Sequence, residues 1–313
     1  MLIQASDGLK QYLHDIVDTL ESLRVEAILY QGHTWGGCDI ALHEARILGI
    51  KHIIHVGHHG PVRVKIPGDI KVLFIPAFSN LSVEKCVYNA IQPLSGYRKI
   101  GLLSSIQHYR ELNKAKSILE EEGFTIEVGC SKSMPRGLVI GCDLTTALSI
   151  RDEVEAYLVI SGGVFHPLGV AIATEKPVIR ADPYTGKAEN IARETEKVIR
   201  LRLSSIVKAI DAENFAILVS TKPGQYLLSK AIEIKKRLTD KGKKASILLL
   251  SDIDPLQLEN FSQFDAYINT ACPRVPIDDY QLFHKPVINL HEVEYIIKEK
   301  VEDYTSYKSI KYP

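Results

Sequence analysis

The sequence predicts an α/β protein made of three related domains, each a small parallel sheet flanked by helices and set around a shared centre. Short β-branched runs alternate with helix-period segments from end to end, the pattern of parallel sheets covered on both faces. Motifs also return at a long period. Gly37-Cys38-Asp39 recurs as Gly141-Cys142-Asp143 after 104 residues, with Ala41-Leu42 and Ala147-Leu148 just beyond. Lys176-Pro177-Val178 recurs as Lys285-Pro286-Val287 after 109, and Ala156-Tyr157 as Ala266-Tyr267 after 110. These periods exceed those of solenoid repeats, and three units of this size fill the 313 residues. Interruptions at Gly96-Tyr97-Arg98 and Asp211-Ala212-Glu213-Asn214 divide the chain into domains 1–98, 99–210 and 211–313, which carry Cys38, Cys142 and Cys272 in turn.

Taken in order, the expected strands are Val25 to Tyr30, His52 to Val56, Val72 to Ile75, Ile100 to Leu103, Ala156 to Ile160, Ala216 to Val219, Ser246 to Leu250 and Ala266 to Ile268. Most end in Gly, Pro or polar turns. The first helix has Ser6 or Asp7 as its cap and Leu9, Leu13, Ile16, Val17 and Leu20 on one face. Similar helices are expected from Arg110 to Glu122, closed by Gly123, and from Gln225 to Lys241, closed by Gly242.

Composition narrows the function classes. Thirty-eight basic residues balance 38 acidic ones, which argues against bulk electrostatic capture of nucleic acid or an anionic membrane. No stretch reaches the roughly 20 apolar residues of a membrane span, and no basic region precedes an apolar core at the N-terminus. The expectation is a cytoplasmic protein with reduced thiols. Five cysteines are too few for a disulfide scaffold in a chain long enough to bury roughly 75% of its unfolded surface.

In open α/β sheets, functional groups gather beyond the C-terminal ends of strands. Cys38 and Cys142 sit there, each after a glycine and before an expected helix whose amide dipoles would favour a thiolate. Cys272 follows the strand Ala266-Tyr267-Ile268-Asn269 and precedes Pro273. Cys86 reads as a packing residue inside a helix, and Cys130 follows a strand without a motif. Separations of 104 and 130 residues exclude the short clips of zinc fingers and ferredoxins, so a shared metal would join domains. Soft thiolates select zinc or iron–sulfur clusters. Three cysteines on a four-iron cluster leave one iron open to substrate.

These motifs, together with Gly32-His33-Thr34-Trp35-Gly36, Gly162-Gly163-Val164-Phe165-His166-Pro167-Leu168-Gly169, Asp182-Pro183-Tyr184, Thr221-Lys222-Pro223-Gly224-Gln225 and Asn269-Thr270-Ala271-Cys272-Pro273-Arg274, closely resemble the archaeal 2-(3-amino-3-carboxypropyl)histidine synthases of diphthamide biosynthesis. The match runs in order from Leu2 to Glu292. The resemblance implies three Rossmann-like domains around a central [4Fe-4S] cluster ligated by Cys38, Cys142 and Cys272, with Cys86 and Cys130 outside the ligand set. It implies a homodimer, an electron donor, S-adenosylmethionine as co-substrate and translation elongation factor 2 as protein substrate. The bond from sulfur to the γ-carbon breaks, and the resulting 3-amino-3-carboxypropyl radical adds to an imidazole C2. The chain starts almost at its first strand, where the family carries a short N-terminal extension, so an altered edge of the first domain is expected.

By the same resemblance, Gly162, Gly163, His166, Asp182 and Gln225 contact S-adenosylmethionine. From the residues alone, Gly162-Gly163 equally suits a tight turn without a ligand. Asp182 suits an amine, a ribose or a plain Asp-Pro turn, and Gln225 either caps its helix or holds the methionine carboxylate. His55, His58 and His59 read as the rim of a pocket, no His-Glu-x-x-His helix exists, and residues 298–313 read as a solvated helix and tail. Two rivals remain at this point: a quinolinate synthase-like cluster enzyme, and a noncatalytic protein with a structural zinc between domains.

Overall fold

A computed structural model describes residues 1–310. It holds three mostly parallel sheets. The first contains β1 (Leu2–Ala5), β2 (Ile28–Leu29), β3 (His52–Gly57) and β4 (Lys71–Pro76) in the order β2-β1-β3-β4. The second contains β5 (Lys99–Ser104), β6 (Thr125–Glu127), β7 (Ala156–Ile160), β8 (Val178–Asp182) and β9 (Lys187–Asn190) in the order β6-β5-β7-β8-β9, with only β9 antiparallel. The third contains β10 (Asn214–Ser220), β11 (Lys244–Leu250), β12 (Ala266–Asn269) and β13 (Val287–Asn289) in the order β11-β10-β12-β13. The same winding, second-first-third-fourth, thus occurs three times, which is the structural form of the repeated motifs. Each sheet reverses direction between its first and third strands, the switch point at which open α/β sheets bind ligands.

Why these runs become central strands is visible in β7. Tyr157 and Val159 face one apolar cluster, with Leu168 and Val170 of the helix Phe165–Thr174. Ala156, Leu158 and Ile160 face the other, with Val83, Val87 and Leu119. All five strand residues are buried, so the run is continuously apolar instead of alternating. Each buried Val, Leu or Ile side chain contributes about 1.5–3 kcal/mol. Strand β10 repeats the arrangement: Phe215, Ile217 and Val219 on one face, Ala216 and Leu218 on the other.

The chain forms two compact units, one of Met1–Ala77 with Thr221–Tyr226, the other of Phe78–Ser220 with the described residues from Leu227 on. The first contains the first sheet, and the second contains the other two. Among the described residues, no helix is long and apolar enough to cross a membrane.

Several local expectations need correction. The first helix is a 3-10 turn over Asp7–Tyr12 followed by an α-helix over His14–Ser22, with no side-chain cap. Gly8 in its first turn is a weak helix former, yet Leu9, Leu13, Ile16, Val17 and Leu20 do share one cluster. The strand expected from Val25 contracts to Ile28–Leu29, both exposed at the sheet edge. Gly123 and Gly242 adopt φ of +89° and +81° just past their helices, as closing glycines do. The C-terminal segment is not a solvated tail: Ser306 Oγ donates to the Ile172 carbonyl at 2.9 Å, and Ile310 is buried beside Leu168. Tyr304, Tyr307 and Ile310, three residues apart, supply the apolar side that the interspersed lysines and acids conceal. Residues 311–313 of that expectation lie outside the described residues.

Candidate functional site

Cys38 lies in a loop held at several points. The Asp39 N–H donates to the Gly36 carbonyl at 3.0 Å, and the Val62 N–H to that of Gly37 at 2.9 Å. The Asp39 carboxylate accepts from the Trp35 N–H at 3.2 Å and from Lys222 Nζ at 2.9 Å in a buried ion pair. Gln4 completes the frame by donating to the Asp39 carbonyl and accepting from the Ala41 N–H. The turn after β10 lies directly against this loop: the Gly224 N–H donates to the Cys38 carbonyl at 2.8 Å, and Gln225 Nε2 donates to Cys38 Sγ at 3.3 Å. A Cβ on Gly224 would stand 2.6 Å from that of Cys38, so only glycine permits the approach.

Cys142 sits at the tip of a tight turn closed by reciprocal bonds between Ile140 and Asp143. Here too the aspartate after the cysteine acts as a latch. Its Oδ1 accepts from the Thr145 N–H at 3.1 Å, and its Oδ2 accepts from Ser133 Oγ at 2.9 Å. The helices after the two Gly-Cys-Asp motifs begin only at Leu42 and Thr145 and are short, so backbone amide dipoles do not explain the positions of these thiols. The aspartates do.

Cys272 follows β12, where Asn269 Nδ2 donates to its carbonyl at 2.8 Å and to Asn289 Oδ1 at 2.8 Å. Asn289 in turn donates to the Pro273 carbonyl. Arg274 joins this turn to that of Cys142: its guanidinium lies 4.0 Å over the Phe165 ring, which also packs on Gly141. Cys38, Cys142 and Cys272 are half-buried, whereas Cys130 is exposed and Cys86 is fully buried. Cys86 Sγ donates to the Val83 carbonyl, and burial pushes its thiol up to about 11.

Each of the three sulfurs is half-buried on a backbone-anchored turn, thiolates are soft donors of the kind that iron and zinc take, and the Gln225 side-chain amide at Cys38 is the kind of donor that supports a charged sulfur. Among the described residues no three His, Cys, Asp or Glu side chains gather closely enough for a single metal ion.

The remaining expected ligand residues of the second unit lie beyond the C-terminal ends of β7 and β8. Gly163 has φ +69° and both glycines are exposed. Asp182 is buried, with Oδ1 accepting from the Tyr184 N–H at 2.9 Å, so the Asp-Pro turn exists and leaves the other oxygen available to further contacts. His166 is half-buried; desolvation, then the Arg274 charge, then His108 push its pKa down to about 4. In the first unit, His55 is fully buried, meets the Phe74 ring at a tilt with centroids 4.8 Å apart and shares a 2.8 Å ring-to-ring hydrogen bond with His58.

Two residues escaped the sequence reading. Lys222 stands inside the Thr221–Gln225 motif, where no sequence signal links it to Asp39. His108 was overlooked altogether, although it follows β5 directly and lies at the switch point of the second sheet. Among the described residues neither of its ring nitrogens has a hydrogen-bond partner, and the ring is buried.

The chain is similar along most of its length to several known proteins. A Pyrococcus horikoshii protein named 2-(3-amino-3-carboxypropyl)histidine synthase is 38% identical over 300 residues, covering 95% of this chain and 85% of that protein. Its Methanocaldococcus jannaschii namesake is 28% identical over 314 residues, covering 95% and 84%. Subunit 1 of the Schizosaccharomyces pombe synthase is 30% identical over 302 residues, covering 93% and 68%. The crystal structure of Dph2 from Pyrococcus horikoshii with a 4Fe-4S cluster superposes with a TM-score of 0.88 at 36% identity, covering 100% of this chain and 89% of that one. With residues 5–308 matching the family model, this chain belongs to the diphthamide synthesis proteins.

Proposed function

We infer that the chain is a 2-(3-amino-3-carboxypropyl)histidine synthase, which uses a [4Fe-4S] cluster and S-adenosylmethionine to modify a protein in the first step of diphthamide biosynthesis. The observation that carries this reading is the match to enzymes of that name along nearly the whole chain, together with the fold of a cluster-bearing relative. The quinolinate synthase-like and structural-zinc alternatives have no comparable support.

At residue level the proposal is that Cys38, Cys142 and Cys272 hold the cluster. Their half-buried positions on latched turns support it, as does the burial of Cys86 inside its helix. Bound there, the cluster supplies one electron and an open iron position for the methionine part of the sulfonium. Gln225 spends one N–H on Cys38 and keeps a second for the methionine carboxylate. Gly162, Gly163, His166 and Asp182 line the remainder of the substrate site. The protein substrate is translation elongation factor 2, modified at one histidine C2 in the cytoplasm, by a homodimer served by an electron donor. The three sheets correspond to three related domains divided near residues 98 and 210.

Anaerobic protein incubated with S-adenosylmethionine, dithionite and elongation factor 2 tests this. Release of 5′-methylthioadenosine and labelling of the factor are expected; absence of both would overturn it.

A further inference from the structure

We propose that His108 is a binding residue for the ribose hydroxyls of S-adenosylmethionine, an inference that rests on the functional reading above. His108 is 1% exposed, and among the described residues neither Nδ1 nor Nε2 has a hydrogen-bond partner. A buried imidazole with neither nitrogen paired is rare in folded proteins and calls for a partner supplied from outside the chain. The ring sits in the 3-10 turn Ile106–Glu111 after β5, and β5 neighbours β7, whose C-terminal end carries Gly162-Gly163. It therefore lies beyond the C-terminal end of β5 at the switch point, where open sheets of this order take their ligands. The edge of the Tyr184 ring meets it at 5.4 Å between centroids, and the Tyr184 ring also packs on Gly162, where a Cβ would come within 2.8 Å. Tyr184 is itself 60% exposed.

The chemistry of the partner follows from the ring's state. Burial lowers the His108 pKa, and the Asp182 charge opposes that effect without reversing it. A neutral imidazole offers one N–H donor and one acceptor lone pair. A ribose diol matches both, because each hydroxyl donates and accepts, and the Asp182 carboxylate nearby can accept a further hydrogen bond from a hydroxyl. The methionine carboxylate would face the like charge of Asp182. The methionine ammonium would suit Asp182 but gives the imidazole N–H nothing to donate to.

The test uses anaerobic cluster-loaded protein kept oxidised, with equilibrium binding of S-adenosylmethionine and its 2′-deoxy and 3′-deoxy ribose analogues. In the wild type, removing the contacted hydroxyl should weaken binding about tenfold, the usual size for a hydrogen bond lost in a buried site. His108→Ala should bind S-adenosylmethionine about tenfold more weakly and no longer distinguish it from that analogue. In wild-type protein carrying 15N-labelled histidine, the His108 ring resonances should move with S-adenosylmethionine and not with the 2′,3′-dideoxy analogue, a readout that survives if the variant misfolds. Unchanged affinity in His108→Ala, retained discrimination between analogues, or equal ring shifts with both ligands would overturn the inference alone. Failure of wild-type protein to bind S-adenosylmethionine at all would overturn the functional reading and the inference with it.

Discussion

Gln225 Nε2 lies 3.3 Å from Cys38 Sγ and donates to it, although 187 residues separate the two in sequence. A donor on a cluster sulfur stabilises the reduced, more negative state and raises the reduction potential. With Cys38 as a cluster ligand, as proposed above, Gln225→Leu should bind a full cluster with a lowered midpoint in a redox titration followed by electron paramagnetic resonance. A midpoint equal to wild type would remove Gln225 from the cluster's surroundings.

Close backbone approach around Cys38 predicts a contrast among glycines. A Cβ on Gly37 would collide with the Gly60 carbonyl, and one on Gly224 with Val62 and Cys38, while Gly60 has nothing within 4 Å. Gly37→Ala and Gly224→Ala should each destabilise by about 1–3 kcal/mol in denaturant unfolding. Gly60→Ala should stay within about 0.5 kcal/mol of wild type.

The Lys222–Asp39 pair is buried, with side chains 10% and 9% exposed. Lys222→Met removes the countercharge from a buried carboxylate and should lower stability by about 3 kcal/mol, and Lys222→Met with Asp39→Asn should lose less. Equal losses in the single and double variants would mean that the pair does not hold the Cys38 loop.

The histidine pair sets a pH dependence. Burial first, and a neighbouring histidine second, push His55 from 6.5 down to about 3 and His58 down to about 4. The unfolded chain then takes up protons that the folded chain refuses. Stability is full above about 6.5 and falls between about 6.5 and 4, by at most about 1.4 kcal/mol per pH unit for each ring. Replacing both rings by glutamine should flatten the dependence of Tm on pH in that window, and an unchanged slope would show that these rings are not kept neutral by the fold.

Much of this was legible beforehand because the signals were local or repeated. The apolar runs of β7 and β10 stand out, and the recurrence of Gly-Cys-Asp marks two loops that the fold does build alike. The latch role of Asp39 was not legible, since it depends on Lys222, 183 residues away in sequence; that of Asp143 is local, through Thr145 two residues on and Ser133 ten before, but no motif marks it. His108 was missed because its run, Ser104-Ser105-Ile106-Gln107-His108, carries no repeated motif; only its place beyond β5 singles it out. The solvated tail was misread because charge spacing hid Tyr304, Tyr307 and Ile310.

The measurement that bears most directly on the account is iron and sulfide content, with electron paramagnetic resonance after reduction, for anaerobically reconstituted wild type and each of the five Cys→Ala variants. Near-stoichiometric four-iron content is expected in wild type, Cys86→Ala and Cys130→Ala, with loss of the cluster signal in Cys38→Ala, Cys142→Ala and Cys272→Ala. Full iron retention in any of those three, or loss in Cys86→Ala from a folded protein, would contradict it.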